Sequence, residues 1–398
     1  MAISVEEALE RVLAHTTVLE EEWVSLQDAL GRTVTRNIRS PMLQPPFDRS
    51  PLDGYALIAA DTVGASAQSP ACLQVVDKLY AGDTSRVPVQ PGQAVRLMTG
   101  GMVPAGADCV IRQEDTDEGE TTVRVYREMK ANSNICYRGE EYGFDDLLIP
   151  AGQVVDAAAV AVAAGAGQTQ LPVRRRPRVA ILSTGDEVQQ PGQTLKPGKI
   201  YDSNTAYLTA RLHQFGAEIV ASGTAGDNLD VLLHALREYS QTADIVLTTG
   251  GVSVGQKDLT EAALEAVGAK IVFHGMAMKP GMPTLFAVKD DTLFLGLSGN
   301  PFSAAVPFEL LLRPMLGRMT ENTELYLKRE SVIAGNDFPK RSPSRRFVRS
   351  CCKDGVVAVP GKQGNGQMRS MIGCNCLIDI PAGSDVIRQG ERVEIVWL

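Results

Sequence analysis

The sequence predicts a multi-domain protein in which a central α/β domain is flanked by β-rich segments. The chain has 398 residues, which is more than one compact core usually holds. From about residue 176 to residue 322, short β-branched runs alternate with helical segments. This alternation predicts a mostly parallel sheet in a three-layer α/β/α domain. On either side, short strands separated by Gly, Pro and Asp predict β-rich N-terminal domains and a small C-terminal β-barrel.

These changes of pattern divide the chain into four predicted domains. Residues 1–45 and 139–175 form an N-terminal linker domain, and residues 46–138 form a β-rich insert within it. Residues 176–322 form the α/β domain, and residues 323–398 form the barrel. No internal repeat or low-complexity segment interrupts this organisation.

Composition and charge exclude several classes of function. The net charge of −8 argues against nucleic-acid binding, although local Lys and Arg side chains can still hold a small anion. No apolar run approaches the ~20 residues of a membrane span, and the N-terminus lacks a signal-peptide pattern, so we expect a cytoplasmic protein. Seven cysteines indicate reduced thiols. Cys351–Cys352 and Cys374–Cys376 lack zinc-ligand spacing, which favours buried structural residues.

Capping signals and periodicity place the elements of the α/β domain. We predict strands at 179–183, 218–222, 245–249, 270–273 and 293–297. We predict helices at 204–215, at 228–239 after an Asp227 N-cap, at 259–267 after an Asp258 N-cap, and from Pro301 to Pro307. Because ligands of parallel sheets bind beyond the carboxyl ends of the strands, the loops that follow these strands form the candidate site.

The loop after the predicted strand at 245–249 has the composition of an anion-binding turn. Gly250 and Gly251 allow backbone N–H groups to approach a ligand, and a helix N-terminus follows. A P-loop is excluded because Gly255 is followed by Gln256 before Lys257. An ordinary strand-to-helix turn remains the alternative for a glycine pair taken alone.

Two further loops and several polar groups are expected at the same edge of the sheet. One loop spans residues 183–187, and the other contains Ser298, Gly299, Asn300 and Pro301 at a helix start. Lys279 is suited to bind an oxyanion. Four carboxylates at loop or helix-start positions are candidate Mg²⁺ ligands, with helix capping as the alternative for each. These are Asp186, Glu187, Asp227 and Asp258.

A proline-rich loop and a glycine pair in the N-terminal half carry further polar residues. The loop of residues 41–51 leads into Asp53, and Thr99 precedes Gly100 and Gly101. Asp53 is consistent with a turn residue, whereas Thr99 is a possible second oxyanion contact. Arg138 and the carboxylates that follow it are equally consistent with a structural ion pair.

Six motifs occur in order along nearly the whole chain. They are PFDRSPLDGYA (46–56), RGE (138–140), STGDE (183–187), GGVSVGQKD (250–258), KPG (279–281) and SGNP (298–301). Together they resemble the molybdopterin molybdenumtransferase family, which includes MoeA and the E domain of gephyrin. The resemblance implies insertion of molybdenum from molybdate into adenylylated molybdopterin with release of AMP, supported by a divalent cation such as Mg²⁺.

The resemblance also implies an assembly and a set of site residues. It implies an elongated homodimer, in which residues 1–45 and 139–175 dimerise and residues 176–322 bind molybdopterin. It implies transient contacts with other molybdenum cofactor biosynthesis proteins and with acceptor enzymes. The implied molybdopterin contacts are Ser183, Thr184, Gly185, Gly250, Gly251, Ser253 and Gly255. The carboxylates Asp186, Glu187, Asp227 and Asp258 would position nucleotide or metal. Asp53, Thr99 and Glu141 would close the cleft from the other subunit, and the molybdate pocket would use Lys279, Ser303, Arg349 and Ser370.

The chain departs from the family motifs at three positions. Glu141 stands where the family usually has Asp, Met282 where it has Lys, and Ser298 where it has Pro. These changes keep open a paralogue that binds molybdopterin without efficient insertion or that uses tungstate or another oxyanion. The resemblance to gephyrin keeps open a scaffold-type binding protein. Adenylyl transfer to molybdopterin is a further alternative because it shares the GGVSVG loop, but the additional N- and C-terminal domains argue against it.

Overall fold

The computed structural model describes residues 2–252, 259–339, 341–361 and 363–398. A six-stranded sheet forms the centre of the α/β domain. Its strands in spatial order are Glu218–Ala225, Arg178–Thr184, Ile245–Thr249, Thr292–Leu297, Leu285–Lys289 and Lys270–His274. The first four strands run parallel to one another.

Helices cover both faces of this sheet because successive strand residues are apolar on both sides. Val179 and Ile181 face one apolar cluster, and Ala180 and Leu182 face another. On the first face lie the helices Ser203–Gln214 and Pro301–Pro307, the latter continued by a π-helical segment Phe308–Leu312 and the helix Arg313–Thr320. On the second face lie the helices Leu229–Tyr239 and Leu259–Ala266. The predicted three-layer arrangement is confirmed.

One strand of the sheet has no counterpart in the sequence prediction. Leu285–Lys289 runs antiparallel to both of its neighbours and joins Thr292–Leu297 through Asp290 and Asp291. Asp290 has a φ of 50°, and such turns are usually indicated by Asn-Gly or Asp-Gly. Because this pair lacks the glycine, the hairpin leaves only a weak sequence signal.

The two separated parts of the N-terminal linker segment fold together. Glu21–Ser25 pairs with Gln170–Arg174, and Ile38–Arg39 pairs with Leu147–Ile149, both antiparallel. The helices Leu26–Ala29 and Ala157–Gly165 contribute to the same apolar cluster as these strands. The grouping of residues 1–45 with 139–175 is compatible with this packing, and the exact domain boundaries stay a prediction.

The first helix, Val5–Ala14, packs on the α/β domain. The Ser4 side chain caps this helix, since it accepts a hydrogen bond from the Glu7 N–H at 3.0 Å. Val5 and Val12 belong to the apolar cluster on the first face of the central sheet. The first residues of the chain therefore support the α/β domain rather than the neighbouring linker strands.

The predicted β-rich insert and C-terminal barrel are both present. The insert is a five-stranded sheet, with the spatial order Cys109–Arg112, Gly54–Leu57, Gln93–Leu97, Ala71–Leu79 and Thr122–Val125. The barrel closes on itself through the strands Arg345–Lys353, Val356–Ala358, Arg329–Ala334, Arg392–Trp397 and Cys376–Ile380. No helix in the described ranges is long and apolar enough to cross a membrane.

The barrel is joined to the α/β domain by a short strand pairing. Met278–Lys279 runs parallel to Arg345–Arg346, with Lys279 in register with Arg346. A second short parallel pair, Val188–Gln189 with Ile200–Tyr201, projects from the edge of the central sheet. Both pairs border the candidate site.

The prediction that the C-terminal cysteines are buried holds for two of the four residues. Cys352 and Cys376 are buried in the apolar core of the barrel. Cys351 is exposed and Cys374 is partly exposed, so burial describes only two of the four residues.

Candidate functional site

A cavity of about 950 Å³ lies at the carboxyl edge of the central sheet. Four neighbouring parallel strands end there, at Thr184, Ala225, Thr249 and Leu297. Residues from the loops that follow all four strands line the cavity. The three predicted loops thus meet at one site, as the parallel arrangement requires.

Close backbone packing explains the glycine pair of the central loop. Gly250 has a φ of 91°, and a Cβ atom at this position would lie 2.7 Å from the Thr184 carbonyl oxygen. A Cβ atom on Gly251 would lie 2.7 Å from the Thr260 hydroxyl oxygen. The Gly250 N–H donates to the Leu297 carbonyl oxygen at 3.0 Å. This hydrogen bond holds the loop against the neighbouring strand. At Gly250 and Gly251 the cavity is lined by backbone rather than by side chains.

Asn204 joins two of the loops from below. Its side-chain amide donates to the Thr249 hydroxyl at 2.7 Å and to the Gly299 carbonyl oxygen at 2.9 Å. Asn204 is buried at the start of the helix Ser203–Gln214, and Asp202 caps that helix through the Thr205 N–H. The helix therefore sets the spacing between the second and third loops.

Carboxylates form one edge of the cavity. Glu187 and Asp227 line it, and Asp186 accepts a hydrogen bond from the Asp227 N–H at 3.1 Å. The helix prediction is corrected at this point, because the N-cap of Leu229–Tyr239 is Asn228 and not Asp227. The Asp227 carboxylate is thus not used as the helix cap.

These carboxylates suit a magnesium ion that is coordinated partly by the protein and partly by a bound phosphate. Such sites usually supply one or two protein carboxylates, and water and substrate oxygens complete the shell. Within the described ranges no group of three or more metal-binding side chains converges. Glu187 and Asp227 are therefore suited to hold Mg²⁺ together with a ligand, and a preformed site made of protein ligands alone is not seen in this part of the chain.

The cavity lining also includes a cation and an apolar surface. Lys279 lines the cavity on an exposed strand end, and Met282 lines it beside Gly281. The side chains of Ile200 and Tyr201 are exposed at the rim. The cavity is thus lined by carboxylates, by Lys279 and by apolar groups that suit a flat ring.

The start of the helix Pro301–Pro307 forms the floor. Ser298 accepts a hydrogen bond from the Asn300 N–H through its hydroxyl at 3.3 Å, which stabilises the turn that a proline would otherwise stiffen. Asn300 is the N-cap residue and makes no side-chain capping bond. Asn300, Pro301 and the buried Ser303 all line the cavity.

Arg349 and Ser370 lie behind the cavity wall rather than on it. The buried Arg349 guanidinium donates to the carbonyl oxygens of Gln367 at 2.6 Å and Gly364 at 2.8 Å, and it stacks on the Phe302 ring. The loop held in this way contributes Asn365 and Gly366 to the cavity. The structure thus places Arg349 as a support of the loop, and it does not bring Ser370 or Ser183 to the cavity lining.

Asp53, Thr99 and Glu141 lie in the N-terminal half and do not line the cavity. Asp53 accepts hydrogen bonds from the Thr99 N–H at 2.6 Å and from the Thr99 hydroxyl at 2.7 Å. The Thr99 backbone bond is the largest cause that lowers the pKa of Asp53. Glu141 has an exposed side chain, whereas the Glu140 carboxylate accepts the Tyr137 N–H.

Four residues at or beneath the cavity belong to none of the predicted site loops, because their positions depend on elements remote in sequence from those loops. They are Asn204, Tyr201, Asn365 and Gly366. Asn204 follows an Asp-Ser helix start, which was the available signal. Three predicted site residues lie outside the described residues, namely Ser253, Gly255 and Asp258.

Family models match three consecutive segments of the chain. Residues 3–167 match the MoeA N-terminal region (domains I and II), residues 180–318 match a probable molybdopterin binding domain, and residues 331–398 match the MoeA C-terminal region (domain IV). A molybdopterin molybdenumtransferase of Bacillus subtilis is 35% identical, over 100% of this chain and 94% of the relative. The chain belongs to the molybdopterin molybdenumtransferase family.

Other relatives agree with this membership. A molybdopterin molybdenumtransferase of Staphylococcus aureus is 34% identical, over 99% of this chain and 95% of the relative. The crystal structure of a molybdopterin biosynthesis MoeA protein from Pyrococcus horikosii superposes with a TM-score of 0.84 at 30% identity, and the match covers 100% of this chain and 99% of the other. The resemblance read from the sequence motifs, the fold class and the assignment to a transferase family are confirmed.

Proposed function

We propose that this chain inserts molybdenum from molybdate into adenylylated molybdopterin, with release of AMP. The observation that carries the proposal is the cavity at four strand ends, which is lined by Glu187 and Asp227 and also by Lys279. Both substrates are anions, so the reaction needs them held close together against their mutual repulsion. The names of the bacterial relatives support the same reaction.

The loop backbone and the exposed apolar rim would bind the pterin substrate. Gly251 and Gly299 bring backbone close to the cavity without side chains, which suits a phosphate. Ile200 and Tyr201 would pack against the flat pterin ring. The hydrogen bonds of Asn204 keep the two loops at a constant spacing while the ligand binds.

Glu187 and Asp227 would hold the magnesium ion, with Asp186 fixing the Asp227 backbone. When bound, Mg²⁺ offsets the charge of the phosphoanhydride and polarises its phosphorus for cleavage. Lys279 and Ser303 also line the cavity. They would bind molybdate and orient it toward the pterin substrate.

Residues of the N-terminal half would complete the site from a second copy of the chain. Asp53 and Thr99 are joined by two hydrogen bonds on an exposed surface, and Glu141 is exposed. Ordered, exposed polar groups of this kind suit a contact across a homodimer. We also place the reaction in the cytoplasm, with transient contacts to other cofactor biosynthesis proteins and to acceptor enzymes.

The test is a reconstituted reaction with two separate readouts. Purified protein is incubated with adenylylated molybdopterin, Mg²⁺ and molybdate, and AMP release and finished cofactor are followed together. We expect both products to form in parallel and both to fall strongly in an Asp227→Asn variant. Binding of the pterin substrate without either product would contradict the proposed reaction and favour the scaffold function.

The relatives do not favour the alternative of a paralogue with weak insertion or with a preference for tungstate, but Met282 makes that alternative testable. Met282 places an exposed apolar side chain in the cavity wall where the family motif has Lys. Loss of one partly desolvated cation weakens anion binding by about 1–3 kcal/mol. Under this alternative, Met282→Lys raises molybdate-dependent activity roughly tenfold or more, whereas an unchanged rate in this variant argues for the first proposal. Parallel reactions with tungstate decide the preference for the oxyanion.

A further inference from the structure

Two cysteines of the barrel lie close together near its surface and have no part in the proposed reaction. Cys351 is exposed on the strand Arg345–Lys353, and Cys374 is partly exposed just before the strand Cys376–Ile380. The Cys351 thiol donates a hydrogen bond to the Gly373 carbonyl oxygen at 3.2 Å. That carbonyl belongs to the peptide bond that leads into Cys374. A single peptide group therefore separates the Cys351 sulfur from Cys374.

The pairing of the two strands explains this proximity. Ser350 and Cys376 are register partners on antiparallel strands, and the Asn375 N–H donates to the Ser350 carbonyl oxygen at 3.2 Å. Continued by one residue, this register places Asn375 opposite Cys351, with Cys374 next along the chain. Opposite Cα atoms on such strands are ~4.5–5.5 Å apart, and a disulfide accepts separations up to ~6.8 Å. The diagonal neighbour Cys374 is thus within reach of Cys351.

Exposure and burial give the four cysteines of the barrel different reactivities. Cys352 and Cys376 lie in the apolar core, and burial raises the pKa of Cys376 to about 12. Because the thiolate is the form that reacts, such buried thiols are inert. Burial also raises the pKa of Cys374, on which the nearby charges of Cys351 and Arg349 act as well. The exposed Cys351 is therefore the thiol that an oxidant reaches first, with Cys374 as its neighbour.

The Cys374 side chain also closes a turn of its own segment. Its thiol donates to the Ser370 carbonyl oxygen at 3.1 Å, and its N–H donates to the Met371 carbonyl oxygen at 3.0 Å. A bond between the two sulfurs would remove the thiol hydrogen bond to Ser370 and the one from Cys351 to Gly373. Thiols are weak donors, so these two bonds are easily replaced. Formation of a disulfide would therefore rearrange the turn at residues 370–374.

This turn continues the loop of residues 363–367, which lines the main cavity through Asn365. Arg349 holds the loop by donating to two of its carbonyl oxygens. Alternate residues of a strand project to the same face, so Arg349 and Cys351 lie on one face. A change at residues 370–374 is thus transmitted to Asn365 both along the chain and through Arg349.

We propose that Cys351 and Cys374 form a reversible oxidation site, in which hydrogen peroxide generates a disulfide that displaces the loop 363–367 and weakens binding of the pterin substrate. The peroxide O–O bond breaks and one oxygen is transferred to the Cys351 sulfur, which gives a sulfenic acid and water. The Cys374 sulfur then attacks the Cys351 sulfur, the S–S bond forms, and the hydroxyl leaves with the Cys374 proton as water. A dithiol reduces the disulfide to two thiols. The effect on the pterin substrate rests on the proposed function, whereas formation of the disulfide does not.

The disulfide is tested by mass spectrometry of the full chain after treatment with hydrogen peroxide. Trypsin releases the peptides 350–353 and 370–388, and we expect them to be joined with loss of two hydrogen atoms. Dithiothreitol should separate them. Each peptide contains two cysteines, so variants assign the pair. The link should be absent in Cys351→Ser and Cys374→Ser, and it should persist in Cys352→Ser, Cys376→Ser and the matched control Cys72→Ser, which changes an exposed cysteine of the insert.

The effect on the site is tested by calorimetric titration with adenylylated molybdopterin before and after oxidation. We expect the Kd of wild-type protein and of Cys72→Ser to rise at least fivefold on oxidation and to return to its initial value after reduction. Cys374→Ser retains the exposed thiol but cannot form the link, so its affinity should change little. Cys351→Ser alters only an exposed side chain, and it keeps the test decisive if Cys374→Ser does not fold.

Three outcomes would overturn the proposal. The first is that folded wild-type protein shows no link between Cys351 and Cys374 after oxidation. The second is an unchanged Kd in fully linked protein, which would reject the coupling to the cavity. The third is an equal loss of affinity in oxidised Cys374→Ser, which would assign the effect to another oxidation product. Failure of reduced wild-type protein to bind the pterin substrate would instead contradict the proposed function.

Discussion

Asn204 donates a hydrogen bond to the carbonyl oxygen of Gly299 at 2.9 Å, although the two residues are 95 positions apart in the chain. The same amide nitrogen donates to the Thr249 hydroxyl at 2.7 Å. One buried side chain therefore links the ends of two parallel strands beneath the cavity. The position of the helix Ser203–Gln214 therefore sets the spacing between the two loops.

Asn204→Ala is expected to weaken pterin binding more than its effect on stability suggests. Loss of two buried hydrogen bonds costs about 2 kcal/mol of folding free energy and leaves the loops free to separate. We expect the Kd for adenylylated molybdopterin to rise about tenfold. The control is Ser4→Ala, which removes an N-cap remote from the cavity at a cost of about 1 kcal/mol and leaves the affinity unchanged. Equal affinities in the two variants would contradict a role for Asn204 in loop spacing.

Gly250→Ala separates steric exclusion from backbone strain. A Cβ atom at Gly250 would lie 2.7 Å from the Thr184 carbonyl oxygen, whereas a Cβ atom at Gly268 would meet nothing within 4 Å. Both glycines have a positive φ, 91° and 86° respectively. Gly268→Ala is thus expected to cost only about 1 kcal/mol of stability, and Gly250→Ala more, together with loss of pterin binding. Unfolding in urea and calorimetry measure the two effects, and similar results for both variants would reject the close-contact explanation.

Mixing two inactive variants tests whether the site spans two chains. Asp53→Asn changes the N-terminal surface, and Lys279→Met changes the cavity. In a heterodimer of the two variants, one of the two sites would combine an intact Asp53 with an intact Lys279. Because about half of randomly formed dimers are heterodimers, mixing should restore about a quarter of the wild-type activity. Restoration requires refolding or coexpression so that the chains exchange. An inactive mixture that contains heterodimers by mass spectrometry would show that each site is built within one chain.

Because the pKa of Asp379 is lowered in the folded protein, we expect the stability of the barrel to depend on pH. Burial is the largest effect on the pKa of Asp379 and raises it, but hydrogen bonds from Arg345 and Arg329 outweigh burial and lower the pKa below 3.8. A lowered folded-state pKa stabilises the protein above the unfolded value, and this contribution is lost as the pH falls through the folded value. Asp379→Asn should therefore cost about 2 kcal/mol near neutral pH, because Arg345 and Arg329 lose their charge-assisted hydrogen bonds to Asp379, while Arg345 keeps its ion pair with Glu6.

The difference between wild type and Asp379→Asn is expected to shrink as the pH falls from about 7 to about 3, and urea unfolding measures it. Asp385→Asn removes an exposed ion pair with Arg341 and serves as the control, with a cost below about 1 kcal/mol at each pH. A difference that stays constant over this range would show that the Asp379 charge does not stabilise the barrel.

Parallel topology made the position of the site predictable. Buried β-branched runs such as 245–249 predict strands that align, and aligned strands end at one edge, so Thr184, Gly250 and Asn300 had to meet. The same reasoning placed the helix caps only to within one residue. Asp227 and Asn228 are adjacent acceptors, and it is Asn228 whose side chain accepts the N–H groups of Asp230 and Val231.

Arg349 and Arg346 show where sequence reasoning reaches its limit. The motifs assign Arg349 to an anion, but the fold of residues 363–367 surrounds its guanidinium with carbonyl oxygens. Arg346 carries no motif, yet its pairing with Lys279 brings it to a cavity. Side-chain direction on a strand depends on register with a remote segment, and register is not encoded by either segment alone.

Short motifs and local apolar periodicity were enough to identify the family, most strands and helices of the α/β domain, and the edge of the sheet at which the three loops meet. The tertiary structure decided which side chains face the cavity, which ones only support it, and how two cations come to lie together. These outcomes depend on contacts between segments far apart in the chain, where burial and hydrogen bonding select one side-chain direction from several that the local sequence allows.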